Sequence, residues 1–323
     1  MCSGGTRDKC GHPKRVHGWP SSDIPRRLWE WAKDTSDCNC QPHRTLRPGT
    51  RQVEQSSYST HLCNFVRRTR MPLPALVELV RGQTETDHRP NKCMIPEVIA
   101  QVCKDYPHLD KLQLIAAEGV RVEFTQDVLP QSCPPDNHGS ATERVNILRK
   151  NARKEQDARR CFVLDLDLLS MWPEVFISPF GVVDKAGGGP LTTGRTIHDL
   201  SFPEGASIND FTDQDAIPRA NYRHCDAVAA EILRCKQEYP DAEIKIMAGD
   251  VTSAFRNVSI HSRSVHRFAG RIEIENALVI ELACPFGWTG SPGEYELSVE
   301  RLRLSTVNRA TGITQMTSST TTG

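Results

Sequence analysis

The stretch Glu243–Arg256, which reads EIKIMAGDVTSAFR, constrains this chain more than any other. Its apolar residues give way to small ones and then to a single carboxylate, which predicts a buried strand presenting Asp250 at its exposed end. A carboxylate in that place can hold a metal ion. An Asp that ends an ordinary strand and caps the next turn gives the same pattern, and on this stretch alone the plainer reading is the better one. Ala254 is small enough to let a ligand approach, and Phe255 offers a flat ring as its wall.

A chain of 323 residues, 38% hydrophobic and 25% charged, has room for two domains and at least one proper core. Its formal net charge is +0, so no global field advertises a nucleic-acid partner. The balance hides a local excess: residues 1–70 carry thirteen Lys and Arg against six Asp and Glu. Such a segment can lie on phosphates, although a solvated basic arm is the commoner meaning. No apolar run approaches the roughly 18 residues needed to cross a bilayer, and the N-terminus is unlike a signal peptide. The expectation is an intracellular protein of cytoplasm or nucleus, without membrane contact, whose 12 cysteines are reduced thiols.

Four segments follow from the pattern. Residues 1–70 form a basic, largely disordered leader with one helix, capped at Ser22 or Asp23 and carrying Leu28, Trp29 and Trp31. Cys38, Cys40, His43, His61 and Cys63 are zinc-ligand types, but the spacing is poor and scattered thiols fit better. Residues 71–160 are helical. Leu76, Leu79 and Val80 make one face; Pro96 opens a helix through Val98, Ile99 and Val102; Leu109, Leu112, Ile115 and Ala116 make another that Gly119 ends. Val120–Phe124 alternates like a short strand, and a helix with a basic face runs from about Thr142 to Arg159. Residues 298–323, rich in Ser and Thr, form a disordered tail.

Residues 161–297 carry the rest. Asp165 and Asp167 alternate on a strand, a spacing that lets two acids share a metal, though a polar outer face suits them better. Residues 174–185 and 194–202 read as two strands around the flexible tip Ala186–Pro190, which sets Lys185 and Arg195 on either side of it. Two cations on such a flap suit a triphosphate. A helix from about Tyr222 to Glu238 turns Val228, Ile232 and Leu233 inward. Val265–Ala269 and Ala277–Leu282 then form strands flanking Asn276 and deliver the turn Cys284–Pro292, whose glycines bring backbone close to a ligand.

Together, four blocks in this order resemble the reverse transcriptase domain of retrotransposons. Ser178–Lys185 with Arg195–Ser201 look like the two strands of the fingers, and Ser207-Ile208-Asn209-Asp210 is similar to the segment that ends that block. Gly249–Arg256 resembles the first catalytic palm motif, and Pro285–Pro292 the templating turn of the next. The resemblance implies an α+β fold, a partial right-hand polymerase of fingers plus an incomplete palm sheet behind a helical, partly disordered N-terminal region. It makes Asp250 the catalytic ligand of Mg2+, with the backbone of Val251 as a further ligand, and gives Lys185 and Arg195 the triphosphate. Phe255 becomes the gate under the sugar, and Phe286, Gly287 and Trp288 line the pocket for dNTP and the RNA or DNA template-primer. Two metal ions need more than one carboxylate. No Asp follows Asp250 in this sequence. The expectation is a truncated RNA-directed DNA polymerase with little or no activity as it stands; the alternative is a non-catalytic nucleic-acid-binding protein that uses its basic N-terminal half.

Overall fold

The computed structural model describes residues 57–128, 130–219, 225–241, 243–245 and 251–297. In a strand, consecutive apolar residues such as Ala277–Ile280 are all buried only when both faces are covered. They form β5 (Ala277–Glu281), which lies between β1 (Cys161–Asp165) and β4 (Ala269–Ile272) and is antiparallel to both. Side chains alternate along a strand, so each face collects every second residue. Phe162, Leu164, Leu278 and Ile280 join one core with Leu62, Cys63 and Val66 of α1 (Ser57–Thr69). Cys161, Val163, Ala277 and Val279 join a second with Ile147 and Leu148 of α6 (Val145–Asp157) and with Phe180 and Val182. The sheet is thus sandwiched between helix α1 and a layer made of α6 and a hairpin.

That hairpin is β2 (Phe180–Val183) paired antiparallel with β3 (Arg195–His198), with Val183 opposite Arg195 and Phe180 opposite His198. Its base is fastened to the main sheet where the Ser178 N–H donates to the Ala269 carbonyl at 2.8 Å. The predicted two strands around a glycine tip therefore form. At the start of β5, Asn276 takes the left-handed conformation at φ 51°, which Asn tolerates better than most residues.

The helical layer comprises α2 (Leu73–Arg81), α3 (Pro96–Val102), α4 (Leu109–Glu118) and α5 (Gly139–Glu143). In α4, Leu112, Ile115 and Ala116 are buried as their spacing predicts. Gly119 ends α4 at φ +84°, and a β-carbon there would lie 2.9 Å from the His261 backbone nitrogen. The close approach lets Val120 exchange hydrogen bonds with Ser259 and His261. Val120 and Val122 are buried and Arg121 and Glu123 exposed, so the predicted alternation holds. It makes single bridges, Val120 to Ile260 and Phe124 to Thr212, in place of a ladder.

Several expectations need correction. The stretch read as a loose leader includes α1, whose buried face joins the same core as Leu297. The helix expected from about Thr142 to Arg159 forms as α6, starting at Val145 after Arg144 separates it from the short α5. Val98 and Val102 of α3 are exposed, and only Ile99 packs inward. Val265–Arg267 is a 3-10 turn, and the strand starts at Ala269. In α8 (Cys225–Glu238) no residue is buried, and Leu233 is 64% exposed. The Ser22–Trp31 helix, Cys38, Cys40, His43, the tail 298–323 and the strand end Ile246–Asp250 lie outside the described residues. Cys63 is a core residue, its thiol pushed up to about 11 by burial. None of the described helices is long and apolar enough to cross a membrane.

Candidate functional site

One corner of the molecule gathers residues that are far apart in sequence. It starts at α7 (Ile208–Phe211), where Ser207 accepts from the Asp210 N–H and Asp210 accepts in return from the Ser207 backbone N–H and hydroxyl. This reciprocal cap fixes the entry of the short helix. The Ser207 hydroxyl, then its N–H, hold the Asp210 carboxyl below the usual range.

The cap aims Asn209 at the turn after β5. Its side-chain nitrogen donates to the Gly287 carbonyl and the Ser201 hydroxyl, both at 2.8 Å, while its side-chain oxygen accepts from the Thr289 N–H at 3.0 Å. Its own N–H donates to the Leu200 carbonyl at 2.9 Å. One side chain therefore joins the end of the hairpin to the turn. Trp288 anchors the turn from below: it is buried, donates from Nε1 to the Thr212 hydroxyl at 3.1 Å, and meets Phe268 edge-on at 5.4 Å between centroids. Across the turn, the Ser291 hydroxyl donates to the Pro285 carbonyl at 2.6 Å.

With Trp288 turned in, Phe286 is left 50% exposed. Its ring lies against Phe255, centroids 4.8 Å apart at 39°, and Tyr295 closes on Phe255 edge-on at 5.6 Å. Phe255 belongs to a 3-10 turn (Ala254–Asn257) that follows Ser253 in the left-handed conformation. The neighbouring residue, Arg256, is drawn inward to Glu281, the one charged residue of β5, in a two-pronged ion pair. Burial alone would lower the Arg256 pKa, but the adjoining Glu281 carboxylate more than offsets it and the net shift is upward. His198 is also buried, its Nδ1 3.8 Å from Glu281 and its Nε2 3.1 Å from the Ala269 carbonyl. Burial holds its pKa below the ordinary value.

Of the residues predicted for a site, Phe255, Phe286 and Gly287 meet here, while Trp288, expected to line the pocket, is buried beneath the turn against Phe268. Lys185 and Arg195 are exposed on the hairpin. Arg195 stands three residues from His198, whose carbonyl touches Gly287, which is about 10 Å of strand. Val251 is 46% exposed, and Asp250 lies outside the described residues. Among the described residues no group of three His, Cys, Asp or Glu side chains is placed to hold a metal ion. Asp165 and Asp167 do not share one: β1 ends at Asp165, a 3-10 turn follows, and both carboxylates turn onto Arg67 of α1. Sequence reading missed Tyr295 and the Arg256–Glu281 pair. A lone Glu in the apolar run Ala277–Leu282 was the available signal, because a buried carboxylate needs a partner.

No protein-family model matches the chain, and no curated protein matches it either.

Proposed function

We propose that this chain is a reverse-transcriptase-like polypeptide of a retroelement, an RNA-directed DNA polymerase by resemblance, whose described corner holds a nucleotide against template. The observation that supports this reading is the clamp of Asn209 on Gly287 and Thr289. It brings the Leu200–Ser201 end of the hairpin block, the Ser207–Asp210 block and the Pro285–Pro292 turn together beside Phe255, which supports the reading. The exposed ring of Phe286 and the Phe255 wall offer a stacking surface for a base and sugar. Lys185 and Arg195, exposed on the flap, supply charge for phosphates.

By resemblance, magnesium at Asp250 and Val251 would neutralise the phosphate charge. Two such ions need more than one carboxylate, and nucleotide binding is the part of the reaction that the described corner carries. The test combines titration with a fluorescent dNTP and primer extension on an RNA template with Mg2+. Binding that weakens about tenfold in Arg195→Ala, a loss typical of a charge-assisted contact, supports the reading. Undetectable dNTP binding sinks it. Extension abolished by Asp250→Ala would add catalysis to binding.

The second reading is a nucleic-acid binder using its basic N-terminal half, for which α6 and the residues after it keep Lys150 and Lys154 exposed while arginines around them are paired. Arg149 pairs with Glu275, Arg153 with Asp157, and Arg160 with Glu155. Salt-dependent RNA binding that is indifferent to Asp250→Ala and Arg195→Ala would favour it.

A further inference from the structure

A cavity of about 540 Å³ opens between α1, α2, β1 and the turn that carries Arg256. Lys185, Arg195, Phe255 and Phe286 are not on its wall, so it is distinct from the nucleotide corner. Its apolar wall includes Leu62, Val80, Phe162, Leu164 and Leu282. Set into that wall is Arg81, 5% exposed.

Arg81 donates from Nη1 to the Ile260 carbonyl at 2.8 Å and the Ser262 hydroxyl at 3.0 Å, and from Nη2 to the Leu282 carbonyl at 2.7 Å. All three acceptors are neutral. The other inward arginines of the wall have carboxylates: Arg256 pairs with Glu281, and Arg160 with Glu155. None of the ion pairs among the described residues includes Arg81, and burial alone pulls its pKa down to about 9, which leaves it charged at neutral pH. These bonds to two carbonyls and a hydroxyl use three of its five donors and leave its charge unbalanced, and a buried charge normally has a counter-charge. Nε and the second Nη2 hydrogen take no part in the three bonds and remain to be offered.

We propose that this cavity is a second binding site, for a small organic anion whose carboxylate or phosphate meets Arg81 and whose apolar body lies against Phe162 and Leu164. The volume falls in the range of about 300–1,000 Å³ usual for small-molecule pockets. The surroundings ask for both parts of such a ligand: inorganic phosphate would leave the apolar wall uncovered, and a neutral hydrocarbon would leave the guanidinium uncompensated.

Calorimetric titration of the full chain with phenyl phosphate, benzoate, inorganic phosphate and benzyl alcohol tests the proposal. At least one of the two organic anions is expected to bind about tenfold more tightly than inorganic phosphate and benzyl alcohol, as an added charge-assisted contact requires. Which of the two wins separates a phosphate ligand from a carboxylate. Arg81→Gln should reduce the preferred anion to the level of benzyl alcohol. Cys93→Trp, a substitution at an exposed position on the rim, should block the anion while leaving the fold intact, and it decides the matter if Arg81→Gln does not fold. Equal binding of anionic and neutral probes, anion binding unchanged by either substitution, or anion binding lost instead in Arg195→Ala would overturn the proposal. Because the dNTP titration reads the other site, failure of one reading leaves the other standing.

Discussion

A β-carbon built on Gly287 would lie 1.9 Å from the backbone carbonyl oxygen of His198, so the turn after β5 and the end of β3 touch backbone to backbone. No rotation of a side chain relieves that contact, since both partners are main chain. Gly287→Ala must push the turn away from the hairpin, at a cost of about 1–3 kcal/mol, the usual penalty for overpacking. Urea denaturation should show the loss as a lower midpoint with an unchanged slope. An unchanged midpoint would mean that the turn rests on the hairpin more loosely than the contact indicates.

Asn209 holds the same junction by hydrogen bonds, and its two ends can be separated by substitution. Asn209→Ala removes the donor to Gly287 and the acceptor for Thr289 together, and should cost about 1–3 kcal/mol for the groups left unpaired. Asn209→Asp keeps the acceptor for the Thr289 N–H and sets a carboxylate against the Gly287 carbonyl. It should therefore be no better than Ala in stability. If it restores wild-type stability, the Thr289 bond alone fastens the turn. Both variants should weaken dNTP binding through Phe286, which the turn positions.

Arg67 stands between two carboxylates, with Nη2 2.5 Å from Asp165 and 2.7 Å from Asp167. Its hydrogen bonds hold the Asp167 carboxyl below the usual range. A depressed carboxylate contributes stability above its unfolded pKa, near 4, that disappears as pH falls through the folded value. Arg67→Met should thus destabilise at neutral pH by about 1 kcal/mol, given the exposure of Asp167, and have little effect in acid. Since the guanidinium already occupies both acids, Mg2+ should not raise the Tm of the native chain through this pair. A magnesium-dependent rise lost in Asp167→Asn would favour metal sharing over the ion pair.

How much of this was legible in the sequence depended on whether the deciding partner was local. The β2–β3 hairpin could be read because alternation, a glycine tip and a returning strand all lie within residues 174–202. Helix α4 could be read from Leu112, Ile115 and Ala116, whose 3.6-residue period needs no partner to be recognised. Asp165 and Asp167 were misplaced because their geometry is set by Arg67, about a hundred residues away, and by a strand that gives way to a 3-10 turn. Helix α1 was missed for a similar reason: a few apolar positions in a polar, Arg-containing stretch matter only once β1 is there to receive them. At the candidate site the aromatic and glycine residues were visible as motifs, whereas the Asn209 clamp that assembles them is a tertiary fact.

The buried His198 and the half-buried His261, His266 and Glu294 give the chain an acid sensitivity whose sign is the outcome of a contest. Burial pulls His261 and His266 down to about 4, and lowers His198 as well. Between the ordinary histidine pKa of about 6.5 and that value, the unfolded chain takes up protons that the folded chain refuses, so stability falls as pH falls. Glu294 works the other way: burial raises it to about 7. From there down to the ordinary glutamate value of about 4.3, the folded chain holds a proton that the unfolded chain lacks, so stability rises as pH falls. Three histidines oppose one glutamate over nearly the same window, and Tm should drop between about pH 7 and pH 4.5. His266→Gln should flatten the drop, and Glu294→Gln should steepen it by removing the opposing group. Thermal melts followed by circular dichroism across this range read both slopes, and a Tm that rises in the native chain as pH falls would show that the Glu294 proton outweighs all three rings.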